Sequence, residues 1–268
     1  MTDAPPPPPR APDVAEFPDG VAVVFGGSGG VGAAVCERLA AHGADVALTY
    51  RGNADAAEQA AARVRGHGRR ASVHRIWLDD AAAVTALLGE LDAAHGRVHT
   101  IACAAGSNIR QPYVSEVTPE EWRRVVDADV HGFFHVVHAA LPLLRKGGGG
   151  SLVYVSSAGL ARHPPGDVLS VAPKGAVEAL VRAVAREEGR HGIRANVVAL
   201  GVVDAGMFPR LVAQGELDEA WLAAAKRNIA LRRFGTAEEV GEAVAFLASS
   251  RASYVTGQRL MLDGGYTL

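Results

Sequence analysis

Beyond residue 19, short apolar, β-branched runs alternate with longer alanine-rich segments whose apolar positions recur at helical spacing. The short runs are VAVVF (21–25), DVALTY (45–50), ASVHRIWL (71–78), VHTIACAA (98–105), SLVYVSS (151–157) and IRANVVAL (193–200). The longer segments between them predict helices near 30–42, 53–67, 81–95, 118–145 and 168–191. A variable stretch covers 202–233, and a helix near 236–249 and a last strand near 258–262 complete the pattern. Strands that are apolar without polar alternation suit a parallel sheet covered on both faces. Strict β-then-α order predicts a single-domain α/β fold. It is a Rossmann-type doubly wound parallel sheet of about seven strands, with ligands at the strands' carboxyl ends.

Composition narrows the class. A chain of 268 residues suits one large domain, and 49% apolar against 21% charged residues is enough for a sizeable core. The formal charge of −2, with acids and bases interspersed, gives no footprint for nucleic acid and no basic face for a membrane. Cys36 and Cys103 are too few for a disulfide framework and lack metal-ligand spacing, so a cytoplasmic location and no metal are expected. No basic leader precedes an apolar run, and no stretch of 18 apolar residues lacks charges or breakers. Residues 1–19 are proline-rich; five consecutive prolines favour extended polyproline II, and a disordered tail is expected.

The first strand runs into FGGSGGVG (25–32) and directly into a helix. Glycines at such a strand–helix turn allow positive φ and close backbone approach, while the helix N-terminus offers N–H groups to a pyrophosphate. At the tip of the second strand, where a carboxylate would hold the ribose of NAD, Tyr50 and Arg51 stand instead. An arginine there suits a 2′-phosphate, so NADP(H) is favoured over NAD(H).

Several further motifs accompany the glycine loop. They are AAG (104–106), VSS (155–157), LSVAPKGAVEAL from Leu169, RANVVALGVVDAGM from Arg194 and VTGQRLMLDGGY from Val255. With these the chain resembles the short-chain dehydrogenase/reductase family over roughly residues 20–268. The resemblance implies an NAD(P)(H)-dependent oxidoreductase acting on a carbonyl or alcohol of a small apolar or cyclic molecule. It implies a cofactor site of Gly26, Ser28, Gly30, Val31, Gly32, Arg51, Leu78, Ala105, Gly106, Lys174, Gly201 and Val203. It implies a substrate lid near 205–230, with Met207, Phe208, Leu211 and Trp221 as candidate lining. Assembly as a homotetramer or dimer, or pairing with an active relative, is implied as well.

The family's proton chemistry uses a tyrosine with a lysine four residues on, a serine thirteen residues upstream and an asparagine on the long preceding helix. Ser157 and Lys174 match the serine and lysine, whereas Ser170 stands in the tyrosine's place and Asp129 in the asparagine's. The lysine cation would lower a phenol pKa from about 10, but an alcohol is a far weaker acid. Other departures are Phe25, Trp77, Cys103, Ala104, Leu200 and Ala205. An ion pair of Asp129 with Lys174 is expected if the family geometry holds. Two further readings stay open: non-redox proton chemistry through Asp129, Ser157, Ser170 and Lys174, and a catalytically silent subunit.

Other candidates carry less. Tyr154 has opposite strand parity to Ser157 and is expected to face away from the site. Tyr113 follows the AAGSNIRQP loop and is read as an apolar anchor of that loop or as a residue that reaches the pocket. His131, His135 and His138 share a helix face, but no partner completes a zinc motif, and packing or surface roles are expected. His163 borders the expected pocket and is read as a surface residue or a substrate contact.

Overall fold

The computed structural model describes residues 15–206, 208–215 and 217–268. Its strands are β1 (Val21–Phe25), β2 (Asp45–Tyr50), β3 (Ala71–Arg75), β4 (Val98–Cys103), β5 (Gly150–Ser157), β6 (Ile193–Leu200) and β7 (Arg259–Leu262). They form one seven-stranded sheet in the order β3-β2-β1-β4-β5-β6-β7, every neighbouring pair parallel. The expected doubly wound α/β fold is thus present. β1 and β4 are buried along their whole length, as strands covered on both faces must be.

Helices α1 (Gly30–Ala41), α2 (Ala54–Gly66) and α3 (Ala81–His95) alternate with the first strands. Then come α4 (Pro119–Val126), α5 (Gly132–Lys146), α6 (Gly159–Arg162) and α7 (Val168–Glu188). The variable stretch holds α8 (Phe208–Ala213) and α9 (Glu219–Asn228), and α10 (Ala237–Ala248) follows. Leu88 of α3, Phe133 of α5 and Val181 of α7 cover one face of the sheet in a single apolar layer. Leu39 of α1, Val64 of α2 and Val244 of α10 cover the other.

Three details depart from the sequence pattern. The expected strand 71–78 stops at Arg75, because Ile76 makes one last bond to the Tyr50 carbonyl at 2.9 Å before the chain turns. The expected helix 118–145 is broken by a π-helical turn at Asp127–His131, where the Gly132 N–H reaches back to the Asp127 carbonyl. Such wide turns insert one residue and concentrate at functional sites. At the N-terminus the chain joins the domain before Gly20: Phe17 is buried against the second apolar layer and Glu16 accepts from the Ser250 N–H at 2.9 Å. The rest of the proline-rich tail, residues 1–14, lies outside the described residues.

The order of strands reverses between β1 and β4, which pair with Phe25 opposite Cys103. Connections leave these two strands toward opposite faces, so a crevice opens at their carboxyl ends. No helix among the described residues is long and apolar enough to cross a membrane.

Candidate active site

The crevice begins where β1 ends. Phe25 is wholly buried and Gly26 turns the chain at φ +83°. A β-carbon on Gly26 would lie 2.6 Å from the Ala105 nitrogen, so the loop after β4 packs directly against glycine backbone. One on Gly32 would overlap the Gly26 carbonyl oxygen. Both clashes are with backbone, which cannot swing aside, and this is the physical content of the glycine pattern. Helix α1 then starts after Gly29 with no side-chain cap and no acidic residue in its first turn. Its free N–H groups and positive end are left for an anion. Gly206 lies close by, its nitrogen 2.9 Å from a β-carbon built on Gly30 and its own β-carbon position 3.7 Å from the Val31 side chain.

A cleft of about 410 Å³ extends from this loop. Of the expected cofactor residues, Gly26, Ser28, Arg51, Leu78, Ala105 and Gly106 line it. Trp77 and Asp79 stand at its rim with Arg51, and the Arg75 guanidinium lies 4.6 Å above the Trp77 ring and donates to the Arg51 carbonyl at 3.1 Å. Gly30, Val31, Gly32, Lys174, Gly201 and Val203 are not part of the cleft wall. Gly201 packs on Asp263, and the Val203 side chain is turned into the apolar layer below. Glycine cradle, free helix end and elongated cleft fit a dinucleotide: Gly26, Ser28 and Gly30 would hold its pyrophosphate, and Arg51 its adenosine end.

Tyr154 corrects an expectation. Strand parity does send it to the face of the sheet opposite Ser157, where it meets Phe133 edge-on at 4.9 Å. It nevertheless lines the cleft with Cys103, Asp129 and Phe133. Burial pushes its phenol well above the ordinary range, which keeps it protonated. Cys103 is buried too, and burial raises its thiol to about 12.

The proton-handling groups gather on β5 and the first turns of α7. Ser170 and Lys174 fall one turn apart on α7, and the Lys174 ammonium donates to the Ser170 hydroxyl oxygen at 3.2 Å. Ser157 Oγ accepts the Gly159 N–H at 3.0 Å. Asp129 sits on the π-helical turn, but the expected ion pair with Lys174 does not form. Its Oδ1 instead accepts the Ser107 N–H at 2.9 Å and the Ser107 hydroxyl at 2.7 Å. The wide turn aims this carboxylate at the loop after β4.

Sequence reasoning missed one residue here. Asp167, the N-cap of α7, is half-buried, and burial pushes its carboxyl up to about 6 against the opposing pull of the Lys174 ammonium and the Ser170 hydroxyl. An aspartate at a helix start reads as an ordinary cap, so no local signal distinguished it.

The remaining candidates disperse. His131 meets Asp127 at 3.0 Å, His135 bonds the Leu78 carbonyl at 2.8 Å, and His138 stacks on Phe134. His163 is exposed at φ +47°, and Tyr113 is 63% exposed rather than anchored. In the lid region Leu211 is buried, while Phe208 packs between Trp221 and Phe234. Met207 lies outside the described residues.

Fold and cleft together define a dinucleotide-binding α/β protein. Comparison with known proteins narrows this. The family model described as enoyl-(acyl carrier protein) reductase matches residues 26–267. The 3-oxoacyl-(acyl-carrier-protein) reductase FabG of Staphylococcus aureus (strain N315) is 32% identical over 244 residues, 91% of this chain and 96% of that relative. Among solved structures, a levodione reductase superposes with a TM-score of 0.86 at 31% identity, covering 94% of this chain and 98% of its own. An NAD+-bound xylitol dehydrogenase superposes equally, at 0.86 and 26% identity, covering 92% and 98%. The chain belongs to the short-chain dehydrogenase/reductase family, oxidoreductases that bind NAD(P)(H).

Proposed function

We propose that this protein is an NADP(H)-dependent reductase of a carbonyl, or oxidant of the corresponding alcohol, on a small apolar or cyclic molecule. The observation that carries this reading is the glycine-bounded cleft at the β1–β4 switch point, with Arg51 at its far end and no carboxylate at the tip of β2. The cationic end suits a 2′-phosphate, since a guanidinium offers paired donors to phosphate oxygens. The likeness to levodione reductase, named for a small carbonyl compound, supports the substrate class.

A bound reduced nicotinamide supplies a hydride. The chain's own residues must then hold the carbonyl and provide a proton. Ser157 Oγ already accepts the Gly159 N–H, and Ser170 Oγ already accepts from Lys174. The Ser157 hydroxyl therefore keeps its proton to donate to a substrate oxygen, while the Ser170 hydroxyl, held by Lys174, turns its proton to Asp167. With Ser170 in place of a phenol, the hold on that oxygen is a hydrogen bond rather than an acid. Asp129, occupied by Ser107, does not serve as the partner of Lys174, which weighs against an acid–base couple built on those two.

Trp122 and Phe134 stand exposed on α4 and α5, and large apolar side chains left to solvent support self-association, as a dimer or homotetramer. Buried, unpaired Cys36 and Cys103 suit a reducing, cytoplasmic setting.

Titration with NADPH and NADH tests the cofactor, read by Trp77 fluorescence and by melting temperature. Quenching with a rise in melting temperature, stronger for NADPH, is expected. No response to either cofactor sinks the reading. Turnover over a panel of small cyclic ketones then tests the substrate class.

A further inference from the structure

Replacing a tyrosine by Ser170 leaves the site without a phenol, yet not without an acid. Asp167 begins α7 but does not behave as a cap. The other polar N-caps Asn53, Asp80, Thr118, Asp218 and Thr236 each accept the N–H three residues on. Asp167 makes no side-chain cap bond. A β-carbon built on Gly159 would lie 2.8 Å from Asp167 Oδ2 and 3.0 Å from Ser157 Oγ, so the carboxylate and the serine oxygen at the end of β5 border one point. The main chain ties Asp167 to the third member of the group, its carbonyl accepting the Ser170 N–H at 3.0 Å.

We propose that Asp167 is the proton donor and acceptor of this site, acting from beside Ser157 and Ser170 in place of the phenol. This rests on the reductase reading above. In reduction, the carbonyl carbon gains a hydride from the reduced nicotinamide, which is oxidised. The carbonyl π pair moves onto oxygen, the Asp167 O–H bond breaks, and that proton forms the alcohol O–H. The carboxylate left behind regains a proton from water. Oxidation of an alcohol runs the same steps backwards, with Asp167 as base.

The surroundings of the carboxyl suit this task. Among the described residues, the charge that acts on Asp167 is Lys174, from its own helix. From β5 and α6 it is faced by neutral groups, the Ser157 hydroxyl and the Gly159 backbone, and neighbouring Gly166 packs on the Gln111 carbonyl. Burial outweighs the pull of the Lys174 ammonium and the Ser170 hydroxyl and holds the proton to about 6, where a general acid and its conjugate base are both available.

The test uses the full chain, Asp167→Asn and Asp167→Glu. NMR titration of ¹³C-labelled aspartates, with Asp167→Asn to assign the signal, should find one carboxyl with its midpoint near 6. Asp167→Asn should bind NADPH as the unaltered protein does but reduce ketones about a hundredfold more slowly, while Asp167→Glu recovers part of the rate. The unaltered rate of reduction should fall as pH rises through the same midpoint. The proposal is overturned if Asp167 titrates in the ordinary range near about 4, or if Asp167→Asn keeps both rate and pH profile. A protein that binds no nicotinamide cofactor, or binds it and reduces nothing, instead fails the reductase reading, and the proposal falls with it.

Discussion

Asp129 and Ser107 are joined twice, through the serine N–H at 2.9 Å and its hydroxyl at 2.7 Å onto the same carboxylate oxygen. This link ties the π-helical turn ahead of α5 to the loop after β4, and both residues line the cleft. The Asp129 carboxylate is therefore a brace for the wall of the cleft.

Removing that brace should loosen cofactor binding before it unfolds the protein. Ser107→Ala deletes the charge-assisted hydroxyl bond but spares the backbone one, a loss of about 1.5–3 kcal/mol at most. The NADPH dissociation constant is expected to rise about threefold to tenfold, at 1.4 kcal/mol per decade. Fluorescence titration with unchanged affinity would assign Asp129 a purely structural role.

Arg51 sits exposed at the end of the cleft, with Arg75 bonded to its carbonyl. Arg51→Glu should weaken NADPH by about tenfold or more and leave NADH unchanged or improved, since the reversed charge repels a phosphate and accepts ribose hydroxyls. Equal losses for both cofactors would place the 2′-phosphate elsewhere.

Asp167 predicts a stability profile as well as a rate profile. Its folded carboxyl is raised to about 6, above the unfolded value, so the native state binds the proton more tightly. The stabilisation is complete below the unfolded pKa and is lost as pH rises through about 6. At pH near neutrality a buried charge remains, costing about 1–3 kcal/mol. Asp167→Asn should therefore melt higher than the unaltered protein at about pH 7.5 and lose that advantage near about pH 4.5. Parallel melting curves at both pH values would contradict the raised carboxyl.

Ser170→Tyr puts a phenol one turn from Lys174, whose ammonium already reaches position 170 at 3.2 Å. Ketone reduction should rise by about tenfold or more, and its alkaline limb should shift upward as the stronger-held phenolic proton takes over. A variant that binds NADPH without any gain would show that a phenol beside Lys174 is not enough to carry the proton at this site.

Much of this molecule was legible along the chain. Strands apolar on both faces, in strict alternation with amphipathic helices, leave a parallel doubly wound sheet as the economical packing, and five of its strands were placed to within one residue. The glycine loop was legible because it stands between a strand and a helix, with Gly32 answering to the Gly26 carbonyl six residues away, and Ser170 and Lys174 because four residues make one helical turn. Tertiary structure alone decided the rest. Helix periodicity continues through 118–145 and gives no sign of the extra residue at Asp127–His131 that turns Asp129 toward Ser107. Strand parity gave the face of Tyr154 correctly but not its place in the cleft wall, which it shares with Cys103 and Phe133 from other elements. Above all, the acidity of Asp167 is set by burial against β5 and by the distance of a single cation. A sequence names the carboxyl group; only the folded surroundings fix the solvent it loses and the charges it meets, and those set when it holds its proton.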